Sequence, residues 1–415
     1  MTDMTSNFSL ATGASANEAT FQLSELFYSR TDRRGVIAAG NTVFQRVAGF
    51  DWDEMLGAPH KIIRHPDMPK GVFQLLWDNI LAGRATGAYV KNRAKSGRYY
   101  WVFALVVPIE GGFISTRMKP STPIFDTVQE LYKDLLEAEA RDRLSPSDSA
   151  RILLERVRDL GFANYETFQS HALATEYAAR NKALGRTGET LQRRFVEMGQ
   201  AIMQVQVETS ELTEAFKSIR TVPMNMRIIA SRLENAGGPI SAISVNYSQM
   251  LEEMSTWVDT FVDGDNCVFA RIRDAILRGQ FLSFAEALQC EMHRLFEDTD
   301  GDYPERIDIA RESRELKALG QQFSREMTQS LEHVEAEAKR FARSVLDMKR
   351  YVTGLSSTRM MCKIESAALG DSGTALAGIV EQLDTCQTDI EKRLARIVEL
   401  NSVIQSNTAM LRTLI

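Results

Sequence analysis

The stretch IRHPDMP, residues 63–69, sets Arg64, His65 and Asp67 around two prolines, Pro66 and Pro69. Prolines narrow the backbone, so a ligand gripped there removes little conformational freedom. Arg64 is suited to pair with a phosphate or with Asp67, and His65 to hydrogen-bond a polar ligand edge. The competing account is a proline-rich turn whose Arg–Asp pair ties down a loop. Asn92, in VKNRAKSGRYYWV, falls in an expected strand, where asparagine is depleted. A pocket-facing amide explains it, and so does a surface position near the turn. Trp77 and Trp101 lie on apolar stretches, where tryptophan is more often core than ligand wall. Trp101 reads as core or sheet face, Trp77 as either core or wall.

Other groups with chemical potential carry less. His293 and His333 sit on helical patterns with no glycine-boxed ATP-binding segment after them, and read as solvated helix faces. DTDGD at 298–302 starts like a calcium loop, but its glycine is at the fourth position and Ile309 stands where the closing glutamate belongs, so it reads as a turn. Cys267, Cys290, Cys362 and Cys386 have neither CxxC nor metal-ligand spacing and read as reduced and structural. The chain has no GxxxxGK[ST], GxSxG, HExxH or cyclase loop, and the expectation is a protein that is not an enzyme.

The elements that must position these residues change character once along the chain. Six of the ten prolines lie between Pro59 and Pro123. In that part LFYSRTDRRGVIAAGN has two apolar runs around a DRRG turn, and VKNRAKSGRYYWVFALVVPIEGGFISTRMK has three runs broken at KSG and EGG. FQRVAGFDWDEMLG and PKGVFQLLWDNILAG, between them, have helical spacing. The pattern predicts an α+β domain over 21–121, an antiparallel sheet with short helices inserted between its second and third strands. A polar, small-residue tail, 1–20, precedes it and is expected to be disordered.

Beyond residue 122 the period is helical. A connector over 122–182 carries LSPSDSARILLERVRDLGFANYETF. Leu191, Met198, Val205, Leu212 and Ile219 then recur every seven residues, as do Leu383, Ile390, Ile397, Ile404 and Leu411, and a three-and-four alternation runs from Leu316 to Val352. Such repeats predict antiparallel coiled-coil hairpins, with an ordinary helical bundle as the alternative. Arg393 and Asn407 interrupt the last seam, as register-fixing polar residues do. NAGGP at 235–239 and LGDSG at 369–373 read as the tips of hairpins spanning 183–300 and 301–415. The net charge of −6 gives no reason to expect nucleic acid or an anionic membrane. No apolar run is long enough to span a bilayer and no secretion signal opens the chain, so the expected location is the cytoplasm.

TDRRGVIAAGNTVF, GFDWDEMLGAPHKIIRHPDMPKGVFQLLW and VKNRAKSGRYYWV closely resemble the PAS domain of bacterial aerotaxis receptors, almost without gaps over about 24–120. IESAALGDSGTALAGIVEQL resembles, more distantly, the signalling tip of methyl-accepting chemotaxis receptors. Aerotaxis-type PAS domains hold FAD non-covalently and report its redox state. By matching motif, the resemblance implies that Asn41, Arg64, His65, Asp67, Phe73, Trp77 and Asn92 contact the flavin or line its pocket. It further implies a homodimer acting on a chemotaxis histidine kinase and its coupling protein, or on intact chemoreceptors. Where the family usually has a tryptophan five or six residues before KN, this chain has Thr86. A flavin–cysteinyl photoreceptor is excluded by residue type, since the segment has no cysteine. The alternative function is a cofactor-free PAS scaffold or adaptor that modulates chemoreceptor arrays through protein contacts.

Overall fold

A computed structural model describes residues 17–232, 237–262, 267–297, 303–368 and 374–415. These form two compact units, one comprising the described chain up to Gly188 together with Phe284–Phe323, the other Glu189–Ser283 with Ser324–Ile415.

The first unit is built on a five-stranded antiparallel sheet of β1 (Phe27–Asp32), β2 (Ile37–Gly40), β3 (Thr86–Arg93), β4 (Tyr99–Ile109) and β5 (Gly112–Met118). The spatial order is β2-β1-β5-β4-β3, so β1 and β5 are central neighbours. The DRRG turn forms as its residues dictate. Asp32 Oδ1 accepts from the backbone N–H groups of Arg34 (2.8 Å) and Val36 (2.9 Å), and Gly35 takes a φ of +76°. Between β2 and β3 come α1 (Thr42–Ala48), α2 (Trp52–Met55), a 3₁₀ turn at His60–Ile63, and α3 (Lys70–Leu81). Both the strands and the inserted helices therefore match the fold class read from the sequence.

Strand alternation gives the sheet an inner face, toward α1 and α3, and an outer face. The outer face is covered too. After β5 come α4 (Pro123–Asp142), α5 (Pro146–Asp159) and α6 (Tyr165–Ala183). Phe125 and Tyr132 of α4 pack on Trp101, which lies on this face, and Tyr132 Oη donates to Tyr89 O at 3.1 Å. Glu176 of α6, fully buried, accepts from Tyr89 Oη (2.9 Å), Thr122 Oγ1 (2.7 Å) and Ser121 N (2.7 Å). Burial pushes its carboxyl above the usual range against those three donors. The C-terminal part of α10 (Val268–Glu297) and the start of α11 (Ile309–Ala368) complete the cover, Phe296 meeting Tyr28 edge-on at 5.0 Å. Every residue of β5 is consequently buried.

In the second unit α7 (Thr190–Ile219) and α8 (Val222–Ala230), then α9 (Gly237–Phe261) and the first half of α10, then α11, then α12 (Thr374–Leu411), lie antiparallel to one another in one chain. The cross-helix pairs fix that sense. Arg194 of α7 donates to Asn407 of α12 at 3.0 Å, and Arg393 of α12 pairs with Glu208 and Glu211 of α7. On the other side Arg271 and Arg278 of α10 meet Glu337 and Glu326 of α11 at 3.2 and 2.7 Å. Met198, Val205, Leu212 and Ile219 are buried, as are Ile390, Ile397, Ile404 and Leu411, which is what a seven-residue apolar repeat demands. Arg393 and Asn407 both make polar contacts across to α7. The LGDSG and DTDGD segments lie outside the described residues, and NAGGP is described only from Gly237.

Candidate functional site

A cavity of about 300 Å³ opens on the inner face of the sheet. Its floor is strand residues with inward parity: Ser29 and Thr31 of β1, Phe113, Ser115 and Arg117 of β5, Ala104 and Val106 of β4, and Val90 and Asn92 of β3. Its roof is α3, which contributes Phe73, Leu76, Trp77 and Ile80, and the segment before it, which contributes Pro59, His60, Lys61 and Arg64. Trp77 meets Phe113 edge-to-face at 5.5 Å. Gly35 in the β1–β2 turn lies so close to the indole that a Cβ there would stand 3.4 Å from it. The connector holds the roof. Glu139 of α4 accepts from Lys70 N (2.7 Å) and Ser149 Oγ of α5 from Gly71 N (3.0 Å), which satisfies orphan donors at the start of α3. A Cβ at Gly71 would sit 2.5 Å from the Ser149–Ala150 backbone, so glycine is required there.

The wall is electrostatically one-sided. Arg34, Lys61, Arg64 and Arg117 line it, and among the described residues no carboxylate does. Arg117 matters most, being 3% exposed. Its Nη2 donates to Ser29 Oγ and to His60 Nε2, both at 2.6 Å, and its guanidinium lies 5.2 Å from the Phe44 ring. Burial lowers it to about 10, so it stays charged at neutral pH. Removal from water, then the Arg117 charge, pull His60 down to about 3. The imidazole is therefore neutral, and a guanidinium donating to Nε2 leaves the ring proton on Nδ1. Arg117 Nη1 and Ser115 Oγ are both buried without a partner among the described residues. A buried cation with a spare donor beside an unpartnered hydroxyl describes a site for an electron-rich or anionic group.

Of the residues singled out in the sequence, Arg64, Phe73, Trp77 and Asn92 are brought together on this cavity. Arg64 stacks on the Phe73 ring at 3.4 Å rather than pairing with Asp67, and its backbone bridges to Asn92. The other three stand elsewhere. Asn41 caps α1: its Oδ1 accepts from Phe44 N and Tyr28 N, both at 3.0 Å, and its Nδ2 donates to Leu26 O at 2.8 Å. His65 and Asp67 tie the corner to the edge strand. Asp67 accepts from Lys91 Nζ at 3.0 Å and lies 3.6 Å from His65 Nδ1. The Lys91 hydrogen bond holds the Asp67 carboxyl below its usual range, whereas burial and then Lys91 lower His65. Thr86 is buried, its hydroxyl donating to Gln169 of α6 at 3.0 Å.

Sequence reasoning missed Ser29, His60, Ser115 and Arg117. The available signal was alternation: Phe113, Ser115 and Arg117 share one face of FISTRM, and a charged residue on a face that begins with phenylalanine asks for an explanation.

Residues 38–115 match the family model described as PAS fold. This segment carries a PAS fold. Over 112 residues the chain is 39% identical to the aerotaxis receptor of Escherichia coli (strain K12), an alignment covering 26% of this chain and 22% of the receptor. The PAS domain is thus of the aerotaxis-receptor type, while the chain spans about a fifth of that receptor's length. Among solved structures, the light state of the blue-light photoreceptor Aureochrome1 LOV is 16% identical, with a TM-score of 0.23, over 26% of this chain and 90% of that one. Its dark state is 17% identical, with a TM-score of 0.22, over 28% and 85%. No helix among the described residues is long and apolar enough to cross a membrane.

Proposed function

We propose that this protein is an aerotaxis-type redox sensor whose PAS cavity holds FAD by its ring system. The observation that carries the reading is the carboxylate-free, cation-lined wall with Arg117 Nη1 and Ser115 Oγ lacking partners among the described residues. A flavin ring edge is rich in acceptors and would satisfy both, and a 300 Å³ cavity is at the small end of ligand pockets, fitting a ring rather than a whole dinucleotide. When bound, the flavin supplies a ring whose charge and protonation change on reduction. The chain's own residues do the rest. Phe73, Trp77 and Phe113 exclude water, Arg117 supplies a fixed positive charge, and the Asn92 amide offers both a donor and an acceptor. Neutral His60 orients Arg117.

A dimer acting by contact on a chemotaxis histidine kinase and its coupling protein, or on intact chemoreceptors, in the cytoplasm, is the output that the aerotaxis resemblance supports. The chain works by binding rather than turnover. Thr86 favours the second reading, a cofactor-free adaptor, because its hydroxyl bonds α6 at the position where the family carries an aromatic ring. The purified full chain decides. A flavin absorption spectrum, present on isolation or after incubation with FAD and lost in Asn92→Ala with the fold intact, supports the sensor. A colourless protein that takes up no FAD overturns it in favour of the adaptor.

A further inference from the structure

Directly behind the cavity's polar wall, the outer face of the same two strands carries a second polar cluster. Tyr28 and Arg30 flank Ser29 in β1, so that Ser29 points to the cavity and its two neighbours point away. Tyr28 Oη donates to Glu312 Oε2 at 2.6 Å, and Arg30 reaches the same carboxylate through Nε and Nη2, each at 2.8 Å. Glu312, on the first turn of α11, is fully buried. In register across the strands, Ser115 stands opposite Ser29 and Thr116 opposite Tyr28, and Thr116 Oγ1 donates to Gln289 Oε1 of α10 at 2.8 Å. Burial and the Glu312 charge hold the Tyr28 phenol well above its ordinary value, keeping it a donor.

A buried ion pair gives less stability than apolar residues of equal volume, but it admits fewer placements. Apolar burial is non-directional and by itself constrains the seating of residues 284–323 less than directional bonds do. A carboxylate that must meet a guanidinium fork and a phenol together holds them in one register, and hydrogen bonds of this kind weaken steeply with misalignment. One residue step separates this cluster from Ser29, whose hydroxyl accepts from the cavity's buried cation.

We infer that Glu312 and Gln289 form a readout clasp, through which the group bound at Arg117 and Ser115 sets how firmly residues 284–323 hold the sheet. An acceptor arriving at Arg117 Nη1 and Ser115 Oγ draws on the guanidinium whose Nη2 holds Ser29, β1 and β5 adjust, and the fork geometry at Glu312 changes with them. The inference rests on the ligand-pocket reading above.

Amide hydrogen exchange on the full chain loaded with FAD, in air and under dithionite, tests it. Exchange across 309–320 is expected to differ between the two states by about tenfold or more. In Glu312→Gln that difference disappears while the flavin spectrum is unchanged. Should Glu312→Gln not fold, Thr116→Val, which removes the Gln289 bond, takes its place. Equal exchange in the two states of flavin-loaded wild type overturns the clasp and leaves the flavin reading standing. If the chain takes up no FAD, that reading has failed separately, and Ser115→Leu, which pushes bulk into the cavity, judges the clasp. Altered exchange at 309–320 then supports it, and unaltered exchange overturns it.

Discussion

The two faces of the sheet are both buried, yet they treat their polar groups in opposite ways. On the outer face the two buried carboxylates are saturated: Glu312 by Arg30 and Tyr28, Glu176 by Tyr89, Thr122 and Ser121. On the inner face, among the described residues, a buried guanidinium has no carboxylate, and Tyr100 Oη, Ser115 Oγ and Arg117 Nη1 have no partner. Burying an unpaired polar group is unfavourable by about 1–3 kcal/mol, and more for a charge. The outer face is not perfect, since Gln289 Nε2 also lacks a partner among the described residues. Its charged groups are paired, whereas the inner face leaves a charged one wanting, as a wall kept for something the chain does not itself contain would.

The contrast can be broken by mutation, beginning where the effect is largest. Arg30→Ala strands the Glu312 carboxylate, and urea unfolding is expected to register a loss of about 3–5 kcal/mol. Arg30→Met combined with Glu312→Leu should recover most of it, because the double change removes both charges. The next effect is on pH dependence. Because burial raises the Glu176 carboxyl, the folded state binds its proton more tightly than the unfolded chain does. Its contribution is therefore complete at low pH and is lost as pH rises from the ordinary carboxylate range through the raised value. Within that window Glu176→Gln should remove a slope of up to about 1.4 kcal/mol per pH step of one, measured as urea stability against pH. On the inner face the sign reverses. Arg117→Met should leave flavin-stripped protein as stable as wild type, or more stable by about 1 kcal/mol, while abolishing FAD uptake. Ser115→Ala, which removes an unpartnered buried hydroxyl, should leave stripped protein no less stable than wild type and up to about 1 kcal/mol more stable. A large loss from either inner-face substitution would contradict the picture of an unfinished wall.

The sheet was legible in the sequence because its turns are local. DRRG, KSG and EGG set the strand ends through neighbouring residues alone, and the helical repeats beyond residue 190 are equally local. Four of the cavity residues, Arg64, Phe73, Trp77 and Asn92, were legible through resemblance to a known motif. His65 and Asp67 share that motif but brace it against Lys91, and Asn41 spends its amide on a helix cap. Arg117 was not legible, because β5 is buried at every position and its alternation separates two interiors instead of water from core. Which interior is which depends on Gln289 and Glu312, more than 170 residues away along the chain from Thr116. Nothing in ARESREL distinguishes a carboxylate bound for a buried fork from one on a solvated helix.

That late-arriving cover also sets a timetable for synthesis. At about 5–20 residues per second, roughly 10–40 s pass between translation of Met118 and of Phe323. Throughout that interval Tyr28, Arg30 and Thr116 must wait on a nascent sheet whose cover is still unmade. Excising residues 21–121 for separate expression would make that vulnerable interval permanent.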